Sequence, residues 1–450
     1  MRLSTYTRIV DLHDGESLVI NIPRRLADLV PTRFAHQLRS PDADMEKQWH
    51  EYATAVGFIT AESPEEEIGW FTDLVASLRE ERQPVNVMAV TTNACNFACS
   101  YCFQADSGMR RLTDRHLSLS EAEGILSQMR TFAEAPGIGQ FELIGGEPLL
   151  PRLRDVVTKL VTGAEELSVP VRVTSNGYFL DEFADLLGGG RISEAQISLD
   201  GAPDAHNSRR IPLSGQPTFD RILNNIQLAL SRGVRVQVRS NVDRRNVDSI
   251  PQLVDILTAE GILANPLADF HCVAVQPDPF SAERGVGEHY MTQEEVQQRI
   301  PMPEGPDVKH STVTRGLSSG ITGIIESIFV DACGAPSRNY YFAPGGEIYN
   351  CHELVGRPDR AVGSFTHNKV RELPIRTLWR ARTVDQLENC RTCSLALAHG
   401  GGCGARLEGD ALGRFGVCGD FPSFFDETVR ALARGESVDL GLSCGSSCAQ

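Results

Sequence analysis

Three cysteines, Cys95, Cys99 and Cys102, lie at offsets of four and three directly after the apolar run Val85 to Val90. Thiolates so spaced hold metal. Three of them can ligate three irons of a [4Fe–4S] cube, which ordinarily takes four, and the fourth iron is then open to a small ligand. On spacing alone a three-ligand zinc site or plain buried cysteines fit as well. Further along, Gly145-Gly146-Glu147-Pro148, Thr174-Ser175-Asn176-Gly177 and Ser198-Leu199-Asp200-Gly201 each close an apolar strand pattern. These are the groups that a bidentate amino-acid ligand on an open iron would need. The Gly145-Gly146 backbone can come close, and Glu147 offers a carboxylate for an ammonium or a brace for its own loop. Ser175, Asn176, Ser198 and Asp200 offer hydroxyl, amide and carboxylate groups to a ribose or a carboxylate, although Asp200 equally suits a turn with Gly201. Arg209 and Arg239 are candidates for the ligand's carboxylate, because a guanidinium fork matches it.

A second cysteine field follows. Cys333 precedes Gly346-x4-Cys351, then come Cys390-x2-Cys393, His399, Gly400-Gly401-Gly402-Cys403 and Cys418. Glycines beside cysteines let backbone wrap closely around a metal centre. A zinc ribbon from Cys390, Cys393, Cys403 and Cys418 is one assignment of that spacing.

The Cys-x3-Cys-x2-Cys run with Tyr101 before its last cysteine, followed in order by the three strand-end motifs, resembles the radical S-adenosylmethionine (SAM) family. The second field resembles that family's SPASM extension, as found in peptide-modifying maturases related to anaerobic sulfatase maturases. The resemblance implies that Cys95, Cys99 and Cys102 hold a [4Fe–4S] cluster that binds SAM, with Tyr101 and the strand-end residues around the cosubstrate. Its reduced form would split SAM to methionine and a 5′-deoxyadenosyl radical, which takes hydrogen from the substrate. It also implies two auxiliary [4Fe–4S] clusters. Cys390, Cys393 and Cys418 would hold one, with His399 where the family usually has a third cysteine. Either His399 ligates iron or it is an exposed loop residue and one iron is open. Cys333, Cys351 and Cys403 would hold the other, with no evident fourth cysteine. The implied substrate is a ribosomally made peptide, crosslinked or oxidised, with flavodoxin or ferredoxin as reductant. Formylglycine formation is the nearest rival. In that group an acidic residue follows the cysteine aligned with Cys351, whereas here His352 does. A non-catalytic iron–sulfur carrier is the alternative of another class.

The elements that must position these groups are legible as pattern. Strands are expected to begin near Val85, Phe141, Val171, Ala195, Val234 and Phe270, alternating with helices, one of them opened by a capping box at Ser120-Glu121-Ala122-Glu123. Six such units predict an α/β parallel sheet with its site at the C-terminal strand ends, and the resemblance sharpens this to a partial (β/α)6 barrel over 85–275. Residues 1–84 are expected to be a small α+β module, with a hairpin around Asp14-Gly15 and helices near Trp49–Val56 and Glu67–Arg82; peptide docking or structural packing suits it equally. Proline and glycine break up 276–320, a linker or lid. The SPASM extension occupies 321–430, and 431–450 is a flexible tail carrying Cys444 and Cys448. Lone Cys272 is expected to be a buried apolar residue of the sixth strand.

Composition narrows the class. The chain of 450 residues carries a formal net charge of −16, against general nucleic-acid binding, which needs a basic face. No apolar run nears the roughly 20 residues that span a bilayer, and the start lacks a signal-peptide core. Metal-type cysteine spacing reads as reduced and cytoplasmic rather than as a disulfide framework.

Overall fold

The computed structural model describes residues 1–13, 15–41, 45–80, 83–102, 104, 115–275, 289–291, 295–296, 299–300, 328–367, 369–407, 411–419 and 421–434. The tail cysteines Cys444 and Cys448 and nearly all of the 276–320 segment lie outside the described residues.

At the N-terminus β1 (Arg2–Leu3) pairs with β5 (Ile59–Thr60), and β2 (Thr7–Asp11), β3 (Glu16–Asn21) and β4 (Leu26–Pro31) form an antiparallel sheet in that order. The β2–β3 hairpin is the one expected around Asp14-Gly15; β4 carries no alternation strong enough to have announced itself. Helices Lys47–Val56 and Pro64–Glu80 follow.

Six parallel strands come next: β6 (Val85–Thr92), β7 (Ile138–Gly145), β8 (Val171–Ser175), β9 (Ile192–Ser198), β10 (Arg235–Val242) and β11 (Ala268–Ala274). All start within three residues of expectation. Together with their crossover helices they make the partial (β/α)6 barrel. The capping box sits two residues earlier than expected: Ser118 caps the helix Leu119–Glu134 and Glu121 closes the box. Ser120 falls inside the first turn, where it cannot receive the N3 amide.

Strands β8, β9 and β10, and the start of β11, bury one apolar face. Val171, Val173, Ala195, Ile197, Val236, Val238 and Phe270 are buried in the core shared with the helices. Side chains alternate along a strand, so Arg172, Thr174, Glu194, Gln196, Ser198, Gln237, Arg239 and His271 face the lumen. A polar lumen is a cavity for ligands, not a packed barrel core.

The sheet continues beyond the barrel. β12 (Asn339–Ala343) runs parallel to β6, from Asn339 opposite Asn86 to Phe342 opposite Ala89. Asn86 Nδ2 donates to Asn339 Oδ1 at 2.9 Å. Antiparallel β13 (Glu347–Tyr349), β14 (Gly363–Thr366) and β15 (Lys369–Glu372) complete ten strands. The C-terminal extension is thereby stitched to the barrel by backbone hydrogen bonds. A separate core joins Tyr6, Val10, Ile20 and Phe71 of the N-terminal module to Leu387, Leu397, Phe425 and Val429 of the extension.

Candidate active site

Cys95, Cys99 and Cys102 follow β6 at the C-terminal ends of the strands. Their loop is strapped down by the backbone of 209–213. Ala98 N–H donates to Ile211 O at 2.7 Å, Ser100 N–H to Arg209 O at 3.4 Å, and Leu213 N–H to Asn96 O at 2.8 Å. The Cys95 sulfur accepts from Phe97 N–H at 3.4 Å. Burial pushes the Cys95 thiol up to about 12, with Glu147, Cys99 and Cys102 adding to the shift, so the three sulfurs feel one another.

The two glycines of Gly145-Gly146 serve this loop directly. A Cβ on Gly145 would lie 2.4 Å from Thr92 O, and one on Gly146 2.2 Å from Ala94 O. Gly146 N–H and Glu147 N–H donate to Thr92 O and Ala94 O, both at 2.9 Å. The close approach expected toward a ligand is here an approach of β7's end to the cysteine loop. Glu147 is fully buried. Its carboxylate accepts from Leu149 N–H at 2.9 Å, Ser175 Oγ at 2.8 Å and Asn176 N–H at 2.7 Å. Of the two roles considered for Glu147, the brace is the one these contacts describe. Asn176 Nδ2 donates to Asn96 Oδ1 at 2.7 Å and leans on the Cys95 sulfur at 3.9 Å.

Tyr101 is the hub on the other side. Its hydroxyl donates to Asp200 and accepts from Arg210 Nη1 at 2.6 Å and Asn241 Nδ2 at 3.3 Å. Asp200 also accepts from Asn241 N–H at 3.0 Å. It is thus a network acid between two strand ends rather than a turn former. Arg209, expected to meet a ligand carboxylate, is committed elsewhere: it forms a buried ion pair with Asp243 at 2.8 Å and donates to Asn241 O at 3.2 Å. Arg239 lies on β10, opposite Ser198 of β9, and its Nε donates to Asn241 Oδ1 at 3.1 Å. Sequence reasoning missed Arg210, Asn241 and Asp243. Nothing local distinguishes Arg210 from its neighbour, since only the fold aims one at Tyr101 and the other at Asp243.

The second field falls into two groups. Cys390 is pushed up to about 12 by burial, then by Cys418 and Cys393, which places these three together. Asn389 Nδ2 approaches the Cys418 sulfur at 3.9 Å. His399 packs its ring on Phe421, centroids 4.4 Å apart. Burial, then Arg382, lower it to about 4, so it is a neutral, half-buried imidazole. That overturns the exposed-loop alternative. In the other group Asn350 Nδ2 donates to Ala335 O at 2.8 Å, drawing the Cys351 and Cys333 segments together. His352 is lowered to about 4 by burial, then by Arg239, while Cys403 opposes the shift. Both the barrel lumen and Cys403 therefore border His352.

Gly400-Gly401-Gly402 is the seam between the groups. A Cβ on Gly400 would lie 2.7 Å from Asp331 backbone, one on Gly401 2.5 Å from Leu387 Cδ1, and one on Gly402 2.0 Å from Val417 O. None of the ten described cysteines is disulfide-bonded. Cys272 sits on β11, half-buried, its thiol pushed up to about 12 by burial and then Asp200. Among the described residues no three histidine, cysteine or carboxylate side chains converge on a single metal ion, and no helix is long and apolar enough to cross a membrane.

The sequence profile of the radical SAM superfamily matches residues 89–255, from β6 into the helix after β10. Residues 89–255 thus match a radical SAM domain. GTP 3′,8-cyclase 1 of Pseudomonas aeruginosa is 34% identical over 177 residues, 38% of this chain and 50% of that protein. The sporulation killing factor maturation protein SkfB of Bacillus subtilis is 31% identical over 174 residues, 38% of this chain and 39% of that protein. The chain thus spans half or less of the length of these two relatives. The solved structure of native anSMEcpe with bound AdoMet shares the fold, with a TM-score of 0.54 and 16% identity over 78% of this chain and 98% of that one. The superfamily implies a [4Fe–4S] cluster and SAM. Cys95, Cys99 and Cys102 fit them: three mutually coupled thiols on one strapped loop, the right donors in the right number for a cube with one iron to spare.

Proposed function

We propose that this chain is a radical SAM maturase that modifies side chains of a ribosomally made peptide, by crosslinking or oxidation, with a second cysteine field holding two auxiliary [4Fe–4S] clusters. The observation that carries the reading is β12 on β6, which brings the His352 and Cys403 part of the second field to the lumen, where Arg239 acts on His352. A cluster placed there could bind a substrate atom or accept the electron left after bond formation. When bound, the first cluster and SAM supply a hydrogen-abstracting radical. The chain's own residues do the rest. Cys95, Cys99 and Cys102 ligate, and the Tyr101–Asp200–Arg210–Asn241 network fixes the cysteine loop. Ser175 and Asn176 line the strand ends around the cosubstrate. Cys390, Cys393 and Cys418, with His399 beside them, would hold one auxiliary cluster, and Cys333, Cys351 and Cys403 the other.

The N-terminal module would grip the peptide. β4 is an edge of its sheet, whereas the β2 side is tied to the helix Phe421–Ala433 through Arg8 and Asp426 at 2.7 Å. An extended segment can add to such an edge. Flavodoxin or ferredoxin would supply electrons in the cytoplasm. Anaerobic reconstitution followed by SAM and dithionite tests the enzyme: 5′-deoxyadenosine is expected, and its absence leaves an iron–sulfur carrier. Co-expression with any short reading frame found beside the gene tests the substrate. A mass loss of two hydrogens per modification is the expected result for crosslinking or oxidation, and an unmodified peptide rejects it. Modification of a sulfatase instead would favour formylglycine formation, for which His352 in place of an acid is the contrary sign.

A further inference from the structure

We propose that Ser198, Arg239 and His271 form an anion subsite in the barrel lumen that takes a carboxylate of the substrate peptide. The proposal rests on the reading of the lumen as a peptide site and names the chemistry it selects.

Register places the three in a row. Arg239 of β10 stands opposite Ser198 of β9 on one side and His271 of β11 on the other. All three point to the lumen. Among the described residues Arg239 has one hydrogen bond, from Nε to Asn241, and no ion pair. Burial pulls its guanidinium below its usual value; Tyr101 and Asp200 oppose that shift, and the cations Arg172 and Arg210 add to it. The carboxylates that could neutralise it are engaged. Glu142 and Glu194 lie 3.5 and 3.2 Å from Arg172, and Asp200 is held by Tyr101 and Asn241. Next to Arg239, His271 Nδ1 is buried with no hydrogen-bond partner among the described residues. Burial, then Arg239 and Arg172, keep this imidazole neutral. A buried polar atom left unpaired costs about 1–3 kcal/mol. One incoming carboxylate answers both faults, since a guanidinium fork and an imidazole N–H can donate to its two oxygens.

The carboxylate of SAM does not account for this row. SAM's amino-acid end must reach the iron held at Cys95, Cys99 and Cys102, and the arginine hydrogen-bonded to that loop is Arg210, which donates to Tyr101 at 2.6 Å; Arg239 feels Tyr101 and Asp200 only through their field and donates to Asn241. Arg239 reaches further from the loop, acting on His271 and on His352 of the extension. The proposal thus gives Arg239 to the substrate rather than to the cosubstrate carboxylate for which its guanidinium was a candidate.

The test is calorimetry on the anaerobically reconstituted, SAM-loaded full chain with three probes: Ac-Gly-Glu-Gly-NH2, its glutamine twin Ac-Gly-Gln-Gly-NH2, and Ac-Gly-Gln-Gly-OH. Charge-assisted hydrogen bonds predict that a carboxylate probe binds about 10- to 100-fold tighter than the neutral twin. Whether the glutamate or the free C-terminus carries that gain tells a side-chain carboxylate from a terminal one. Arg239→Gln is expected to erase the preference while the affinity for SAM and the cluster's electron paramagnetic resonance stay as in the wild type. His271→Gln is expected to reduce the preference, and it stands in should Arg239→Gln fail to fold. Equal binding of all three probes overturns the proposal. So does loss of SAM affinity in Arg239→Gln, which would return Arg239 to the cosubstrate. Absence of 5′-deoxyadenosine from the wild type would sink the enzymatic reading, but it leaves the binding comparison to decide the subsite on its own.

Discussion

Glu147 shows how much a single side chain's surroundings decide. A carboxylate at a strand end beside a cysteine loop invites a ligand role, yet its oxygens are filled by Leu149, Ser175 and Asn176. Glu147→Gln would turn an NH2 group against one of those donors. A loss of about 1–3 kcal/mol follows, visible as a lower urea midpoint, and the iron content of the purified protein should fall with it. His206 makes a prediction of another kind. It is fully buried, accepts from Asp200 N–H at Nδ1 (3.3 Å) and meets Thr218 Oγ1 at Nε2 (3.1 Å). Burial, then Arg210, lower it to about 3 from 6.5. Below pH 6.5 the unfolded chain therefore takes up a proton that the folded chain refuses. The stability present above 6.5 is lost as pH falls toward 3, by about 1.4 kcal/mol per pH unit. Buried His271, His352 and His399 are lowered in the same sense, so urea titrations at pH 7, 6 and 5 should show a summed slope, and His206→Gln should reduce it by its own share of about 1.4 kcal/mol per pH unit. A slope unchanged in the variant would mean that only other groups titrate. Residue types and spacing singled out the three cysteines as candidates without deciding what they hold. Types and spacing did not suffice for Arg209 and Arg210, adjacent in sequence with opposite assignments, because the partners Asp243 and Tyr101 are 34 and 109 positions away.

At the scale of elements, the strand ends work as interlocking loops. Gly146 lets the end of β7 lie on the cysteine loop. Gly146→Ala would force a methyl to 2.2 Å from Ala94 O, a backbone atom with nowhere to go. The variant is expected to keep the circular dichroism of a folded barrel but to bind markedly less iron on reconstitution. Full iron loading in Gly146→Ala would show that the loop tolerates displacement. The six barrel strands were legible because buried parallel strands read as short apolar runs bounded by turn signals. The polar lumen was not: Arg172, Gln196 and Gln237 look like ordinary alternation until pairing puts them on one face. β12 was hidden for a different reason. Its partner, β6, lies some 250 residues earlier, and no local pattern encodes a pairing of that span.

At the scale of the whole molecule, the N-terminal module is not a detachable docking unit. Tyr6, Val10, Ile20 and Phe71 share a core with Leu397, Phe425 and Val429 of the extension, and Tyr6 Oη donates to Arg391 O at 2.7 Å. Deleting residues 1–80 would uncover that apolar surface, and the remainder is expected to aggregate in size-exclusion chromatography. A monodisperse truncation would contradict the shared core. The sequence indicated a module there but not its attachment, since cores shared across a chain leave no periodic trace. The seam at Gly400-Gly401-Gly402 has a thermodynamic consequence. One stretch of backbone closes against Asp331 on one side and Val417 on the other, so ordering it for one set of thiolates also orders it for the other. Metal uptake at the two sets should then be linked, each occupancy raising affinity for the next. A chelator titration should strip them in one concerted step, and two well-separated steps would mean that the glycine hinge transmits nothing.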